Sequence, residues 1–197
     1  MNLPNKLTIF RILLVPVMVI IPFFNIQGTF LNIPYTYWIL NIIFIVASYT
    51  DHLDGKIARK NNLVTTFGKF LDPLADKILV LATMLILVEF DKLPAWIPII
   101  VLIREFAVSG YRLIAVEKNG KVIAASFWGK LKTVTQMIAI ILAFLDINSF
   151  AAFITTKLTG FSLALNILAT VTMLVSVVAT VFSGWDYLKD AKELLKD

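Results

Sequence analysis

Six apolar stretches, each close to the length that crosses a bilayer, constrain this sequence more than any other feature. About 20 apolar residues in a helix span roughly 30 Å of hydrocarbon. With 59% hydrophobic residues and a mean hydropathy of +0.86, the chain is also too apolar for a soluble domain. The stretches lie near 8–26, 37–50, 74–90, 94–116, 126–147 and 162–184.

Polar residues flank the second and third stretches, and we expect these helices to extend over 37–60 and 67–90. No repeat and no long linker divides the chain. The sequence therefore predicts one domain over 1–197, an all-α integral membrane protein with six transmembrane helices.

The distribution of positive charge predicts how these helices are oriented. If the N-terminus is cytoplasmic, only Lys92 and Lys157 of the 18 Lys and Arg residues fall in outward-facing loops. Positively charged loops resist translocation. We therefore expect both termini on the cytoplasmic side of the cell membrane. The net charge of +5 fits contact with anionic lipid, and we expect no nucleic-acid partner.

The residue types that are missing narrow the chemistry. The chain has no cysteine, which excludes disulfides, thiol nucleophiles and Cys-ligated metals. His52 is the only histidine, so a multi-histidine metal site is excluded as well. Carboxylates are therefore the default catalytic groups, and any metal site must use oxygen ligands.

Four aspartates stand close together between the second and third apolar stretches. Asp51 and Asp54 are spaced i, i+3, and Asp72 and Asp76 are spaced i, i+4, so each pair shares one face of its helix. Two antiparallel helices would aim all four carboxylates at one point, where they repel each other unless cations lie between them. Oxygen ligands suit Mg²⁺, Mn²⁺ or Ca²⁺. Two such ions favour attack at phosphorus, because they neutralise the attacking and leaving oxygens.

Small residues accompany the aspartates. Gly55, Ala58 and Gly68 permit close approach of a ligand to the backbone, and Arg59 offers a fork of donors for a phosphate. The same small residues are also explained by close packing of two membrane helices. The residues alone leave both interpretations open.

The whole pattern, Asp51-x2-Asp54-Gly55-x2-Ala58-Arg59-x8-Gly68-x3-Asp72-x3-Asp76, resembles the signature of the CDP-alcohol phosphotransferase family. The resemblance implies a membrane enzyme that moves a phospho-group from a CDP-linked lipid to an alcohol and releases CMP. It also implies a homodimer, two divalent cations (Mg²⁺ or Mn²⁺) and a polar active-site cavity on the cytoplasmic side.

The resemblance assigns roles to the residues that match the signature. All four aspartates would bind the cations, and Asp76 would also be the general base. The CDP pocket would be lined by Gly55, Ala58, Arg59 and Gly68.

The first helix offers further candidates for the CDP pocket. Asn5 and Thr8, with Arg11, share one face of that helix and would reach the nucleotide. A helix cap and an arginine that extends to the interface explain the same three residues.

The acceptor is indicated by weaker motifs. The opening Met1–Arg11 and the stretch from Arg104 to Arg112 are similar to bacterial family members that transfer the phosphatidyl group of CDP-diacylglycerol to glycerol 3-phosphate. Charges within membrane helices line cavities or pair with partners. We therefore predict that the acceptor phosphate binds Arg112, Lys130, Lys132 and Arg104, although Arg104 is equally explained as a partner of Glu105.

Three alternatives remain at this point. The first keeps the enzyme family and changes the acceptor to serine, an inositol phosphate or phosphatidylglycerol. The second is a divalent-cation transporter, which requires a path of acids across the bilayer that the outer halves of the six stretches lack. The third, a structural scaffold, leaves the clustered acids unexplained.

Overall fold

A computed structural model describes residues 2–60, 66–119 and 126–194, with side chains throughout except at 3–4, 52–60, 66–67, 69–70, 113–119, 188 and 190–194. Most of the described chain is helical. The helices are α1 (Leu3–Ile20), α2 (Tyr35–Lys60), α3 (Thr66–Glu89), α4 (Trp96–Asn119), α5 (Phe127–Leu145), α6 (Ala152–Thr155) and α7 (Gly160–Leu194).

The connection from α1 to α2 holds the remaining regular structure. A 3₁₀ turn, Ile21–Phe24, continues α1, and two short antiparallel strands, β1 (Thr29–Phe30) and β2 (Ile33–Pro34), form a hairpin before α2. Leu31 and Asn32 between the strands both have positive φ, as a tight two-residue hairpin turn requires.

Six long helices correspond to the six predicted stretches. Within the part of the chain that the structure describes, three helical segments are long and apolar enough to cross a membrane: Asn5–Phe24, Phe127–Leu145 and Gly160–Tyr187. These segments identify a membrane protein. Spans by α2, α3 and α4, which contain most of the predicted site residues, stay a prediction.

The long helices pack in two groups that share one core. Helix α1 packs against α2 and α3, while α5 runs along α7, which also contacts α4. Met18, Phe44, Leu79 and Ile140 are fully or almost fully buried where the groups meet. Other large apolar side chains, among them Phe106, are exposed, as lipid-facing surfaces require.

A polar network ties the helix ends together on the side of the α3–α4 connection. Lys92 Nζ donates to the carbonyl oxygens of Asp146, at 2.7 Å, and Asn148, at 3.0 Å. Asn166 of α7 donates to the Asp146 carboxylate at 2.5 Å, and the Asn148 backbone N–H donates to the same carboxylate at 3.0 Å. These bonds satisfy groups that burial would otherwise leave without partners.

We expect the charge of Lys92 to make stability depend on pH. Lys92 is only 6% exposed, and burial lowers its pKa from the ordinary 10.5 to about 8, with attraction to Asp146 acting in the opposite direction. Between about pH 8 and 10 the unfolded chain therefore binds more protons than the folded one, so stability rises with pH. Relative to Lys92→Met, the unmodified protein should gain about 2 kcal/mol between pH 7 and 10.

Thermal unfolding of both proteins in the same detergent, at several pH values, measures this difference. Because the other lysines are common to both proteins, their titration cancels. A difference that stays constant from pH 7 to 10 would show that Lys92 keeps an ordinary pKa.

Candidate active site

One face of α1 meets the acidic residues of α2 and α3. Thr8 and Arg11 lie three residues apart, so they share a helix face, and both are fully buried. Thr8 Oγ1 donates to Asp72 Oδ1 at 2.5 Å, and Arg11 Nη1 lies 2.6 Å from Asp51 Oδ1. Asn5, one turn earlier, is also buried. Helix α1 therefore fixes one carboxylate from each of its two neighbours.

Asp76 lies between these carboxylates and a group of cations. It follows Asp72 by one turn of α3 and interacts electrostatically with Asp51 and Arg11 from α2 and α1. It also interacts with Lys132 of α5. The structure thus brings together carboxylates that lie 25 residues apart in the sequence, as the predicted site requires.

The rest of the predicted signature is described only in part. The side chains of Asp54, Ala58 and Arg59, together with Gly55, lie outside the described residues. Gly68 is buried in the first turn of α3. Among the described side chains, no three acids or histidines form a group able to hold a metal. The predicted ligand set of four aspartates therefore stays a prediction.

A polar cavity of about 270 Å³ opens next to Asp76, between α3, α4, α5 and α7. Its charged lining residues are Asp76, Lys77, Arg104, Glu105, Arg112 and Lys132. Four cations against two carboxylates leave a net charge of +2. This volume is near the lower end for ligand pockets and suits a small polar molecule. The cavity favours a small dianion.

Glu105 lies within ion-pair distance of three of the four cations of this cavity. One carboxylate oxygen, Oε1, accepts from Arg104 Nη1 at 2.9 Å and from Lys132 Nζ, while the other lies 3.9 Å from Lys77 Nζ. Both Glu105 and Lys132 are buried. The pairing expected between Arg104 and Glu105 is confirmed, and Arg104 nevertheless lines the cavity.

Arg104 is also held by small residues of α5 and α7. Its Nη2 donates to Ser183 Oγ, and its chain passes next to two glycines. A Cβ at Gly184 would lie 3.4 Å from Arg104 Cγ, and one at Gly129 would lie 3.6 Å from Arg104 Nη2. Side chains longer than a methyl group at these positions would therefore occupy the space of the arginine.

Lys130 differs from the other predicted phosphate-binding residues. It is exposed and does not line the cavity, whereas Lys132 does. Side chains two positions apart on a helix point about 200° away from each other, so only one of these lysines faces inward. The structure does not support Lys130 as part of an acceptor site.

Several cavity residues did not emerge from the sequence. Lys77 directly follows Asp76, and its Nζ donates to Ser109 Oγ across the cavity. Tyr187 accepts from Arg112 Nη2 at 2.5 Å. The available signal was weak: Ser183 and Tyr187 are spaced i, i+4 near the end of α7, and Lys77 follows the last signature residue.

The family of the chain follows from comparison with known proteins. A model of the CDP-alcohol phosphatidyltransferase family matches residues 1–182, and the chain belongs to this family. The family membership predicted from the aspartate signature is therefore confirmed.

Relatives match almost the full length. A Bacillus subtilis (strain 168) protein named CDP-diacylglycerol--glycerol-3-phosphate 3-phosphatidyltransferase is 45% identical over 99% of this chain and 97% of its own. A Haemophilus influenzae protein of the same name is 36% identical over 100% of this chain and 96% of its own. A Mycobacterium tuberculosis (strain ATCC 25618 / H37Rv) protein, named probable phosphatidylglycerophosphate synthase, is 34% identical over 96% of this chain and 81% of its own.

Removing the carboxylate of Glu105 should destabilise the protein. Glu105→Ala leaves Arg104 and Lys132 without their shared anion, and breaking a buried ion pair costs about 3 kcal/mol. We expect a clearly lower unfolding temperature in detergent. Glu89→Ala is the matched control, because Glu89 is exposed at the end of α3. Equal unfolding temperatures for the two variants would contradict the assignment of Glu105 as the common partner of the cations.

Proposed function

We infer that the protein is a phosphatidylglycerophosphate synthase. It transfers the phosphatidyl group of CDP-diacylglycerol to glycerol 3-phosphate, giving phosphatidylglycerophosphate and CMP. Full-length similarity to relatives with that name supports the reaction. The observation that carries the proposal is the cavity beside Asp76, whose net charge of +2 matches the dianionic phosphate of glycerol 3-phosphate.

The position of Asp76 suits a general base. Asp76 forms part of the cavity wall, so a hydroxyl of a molecule bound there lies within its reach. Asp76 takes the proton of the 1-hydroxyl, and the resulting alkoxide attacks the lipid-side phosphorus of CDP-diacylglycerol. The bond from that phosphorus to the CMP oxygen breaks, and CMP leaves as an anion.

Two divalent cations, Mg²⁺ or Mn²⁺, belong to the proposal. The candidate ligands Asp51, Asp54, Asp72 and Asp76 offer only carboxylate oxygens, the donor type these ions prefer. Thr8 and Arg11 hold Asp72 and Asp51 on the same side of α1, which fits a shared site. When bound, such cations neutralise charge on the attacking and leaving oxygens.

The nucleotide would lie on the far side of Asp76 from the cavity. Asn5, Thr8, Gly55, Ala58, Arg59 and Gly68 are its proposed neighbours. Because Thr8 donates to Asp72, it would also orient a carboxylate of the cation site. This division gives the donor and the acceptor separate approaches to one base.

The acceptor phosphate would bind Arg104, Arg112 and Lys132, with Lys77 added to the residues predicted from the sequence.

We also propose that the protein crosses the cell membrane six times, with both termini and the site on the cytoplasmic side. The excess of basic residues in the proposed cytoplasmic loops supports this orientation. The homodimer implied by the resemblance stays a prediction.

A direct assay tests the reaction. Detergent-purified protein with CDP-diacylglycerol and Mg²⁺ or Mn²⁺ should release CMP with glycerol 3-phosphate, and much less with serine, an inositol phosphate or phosphatidylglycerol. A chelator should abolish release, and added Mg²⁺ or Mn²⁺ should restore it. Asp76→Asn should lower the rate at least about 100-fold, because it removes the base.

Asp91→Asn is the control for this substitution. Asp91 is exposed in the α3–α4 connection, where its positive φ suits asparagine equally well. Preferred release with another acceptor would overturn the choice of glycerol 3-phosphate. CMP release that a chelator does not affect would overturn the cation site. If no acceptor gave CMP release, the proposed reaction would be wrong, and the transporter and scaffold alternatives would have to be considered again.

Two lysines on opposite sides of α5 test the acceptor site. Lys132→Gln removes a cavity charge but keeps an amide donor for Glu105, and we expect KM for glycerol 3-phosphate to rise about tenfold. KM for CDP-diacylglycerol should change little. Lys130→Gln removes the same charge from the exposed face and should leave both constants unchanged. If the two variants raised KM equally, general electrostatic attraction rather than a cavity contact would explain the effect.

A further inference from the structure

Tyr187 of α7 contacts two arginines of α4 at the cavity wall. The side chain is 4% exposed, and its hydroxyl accepts from Arg112 Nη2 at 2.5 Å. The Cζ atoms of Arg112 and Arg104 lie 5.1 Å and 5.8 Å from the centre of its ring. Both distances fall within the range of cation–π attraction. One tyrosine therefore restricts both guanidinium groups.

This restriction bears on phosphate binding because arginine recognises phosphate through its planar fork of donors. A flexible arginine loses rotamer entropy when it becomes ordered. Contacts that order the side chain in advance reduce the loss on binding. Arg104 is also ordered by Glu105 and Ser183, whereas Tyr187 provides the described hydrogen bond of Arg112.

We propose that Tyr187 is a positioning residue that holds Arg112 and Arg104 for the phosphate of the acceptor. The C-terminal part of α7 thereby determines acceptor affinity without touching the donor. This inference rests on the proposed function, because it needs a phosphate in the cavity. Tyr187 takes no part in proton transfer or bond breaking.

The test separates positioning from a purely structural role. Tyr187→Phe keeps the ring and removes the hydroxyl, and we expect KM for glycerol 3-phosphate to rise about three- to tenfold. The inhibition constant of inorganic phosphate, a competitor for the same cations, should rise by the same factor. The kcat and the KM for CDP-diacylglycerol should stay within about twofold, because the described hydrogen bond of the hydroxyl lies at the cavity wall, on the proposed acceptor side. Tyr187→Leu removes the ring as well and should weaken both phosphate constants further.

Tyr37→Phe is the matched control. Tyr37 also lies under a cation, with Lys92 Nζ 5.2 Å from its ring centre. It stands at the start of α2, about 21 Å along the helix from Asp51. Its kinetic constants should equal those of the unmodified protein.

A double-substitution cycle checks that Tyr187 acts through Arg112. Because the two side chains are in contact, Tyr187→Phe should raise KM much less in an Arg112→Lys background than in the unmodified protein. Independent effects would overturn the proposal.

The possible failures are distinguishable. An unmodified protein that releases no CMP with glycerol 3-phosphate contradicts the proposed function and this inference with it. An active protein in which Tyr187→Phe and Tyr187→Leu leave the phosphate constants unchanged contradicts this inference alone. Parallel changes in the donor and acceptor constants, or loss of folding in Tyr187→Phe as judged by its elution and unfolding temperature, indicate a structural role and overturn positioning.

Discussion

The cavity depends on the pairing of the Glu105 carboxylate with Arg104 and Lys132. Arginine and lysine are costly inside an apolar helix bundle unless an anion and hydrogen-bond acceptors accompany them. Glu105 supplies that anion to Arg104 and Lys132 from a position next to Arg104 on α4. Arg104 and Lys132 therefore stay inside the bundle, and the cavity as a whole still keeps a net charge of +2. If the cavity held as many carboxylates as cations, it would carry no net charge and would not attract a dianion.

The two ends of the bundle treat polar groups in opposite ways. Around Lys92, Asp146 and Asn166, donors and acceptors bind each other, and the space beside them is only about 10 Å³. Around Asp76 the charged groups face a cavity instead. Lys132 and Asp146 stand about 20 Å apart along α5. The closed network at one end and the open cavity at the other favour a one-sided site over a translocation path among the described residues.

The sequence predicted those features that repeat or that resemble a signature. Apolar length located the six long helices, and the aspartate spacing identified the family and predicted a site between α2 and α3. The side of α5 that faces the cavity was harder to predict, because Lys130 and Lys132 look equivalent in a linear sequence. At a spacing of four residues, Lys132 shares a helix face with buried Gln136, whereas Lys130 shares one with exposed Val134.

The contribution of α7 was the hardest to predict. Small polar residues at helical spacing mark the buried side of the helix, but a search for apolar periodicity does not detect them: Asn166, Thr170, Ser176, Thr180 and Ser183. The interactions of Ser183 and Tyr187 with the arginines arise from tertiary packing between residues more than 70 positions apart. The roles of the site residues stay predictions for the same reason: spacing identifies candidates, whereas their neighbours decide what they do.

Helix α1 links the two halves of the proposed chemistry. Thr8 and Arg11 hold Asp72 and Asp51, and Asp72 stands one turn before Asp76 on the same rigid helix. Helix α1 therefore connects Asp51 of α2 to the helix that carries the proposed base. The cations around Glu105 belong to α3, α4 and α5, which form the proposed acceptor side. A reaction between a lipid donor and a soluble acceptor needs both sides aligned on one proton, and Asp76 of α3 is the residue that interacts with both.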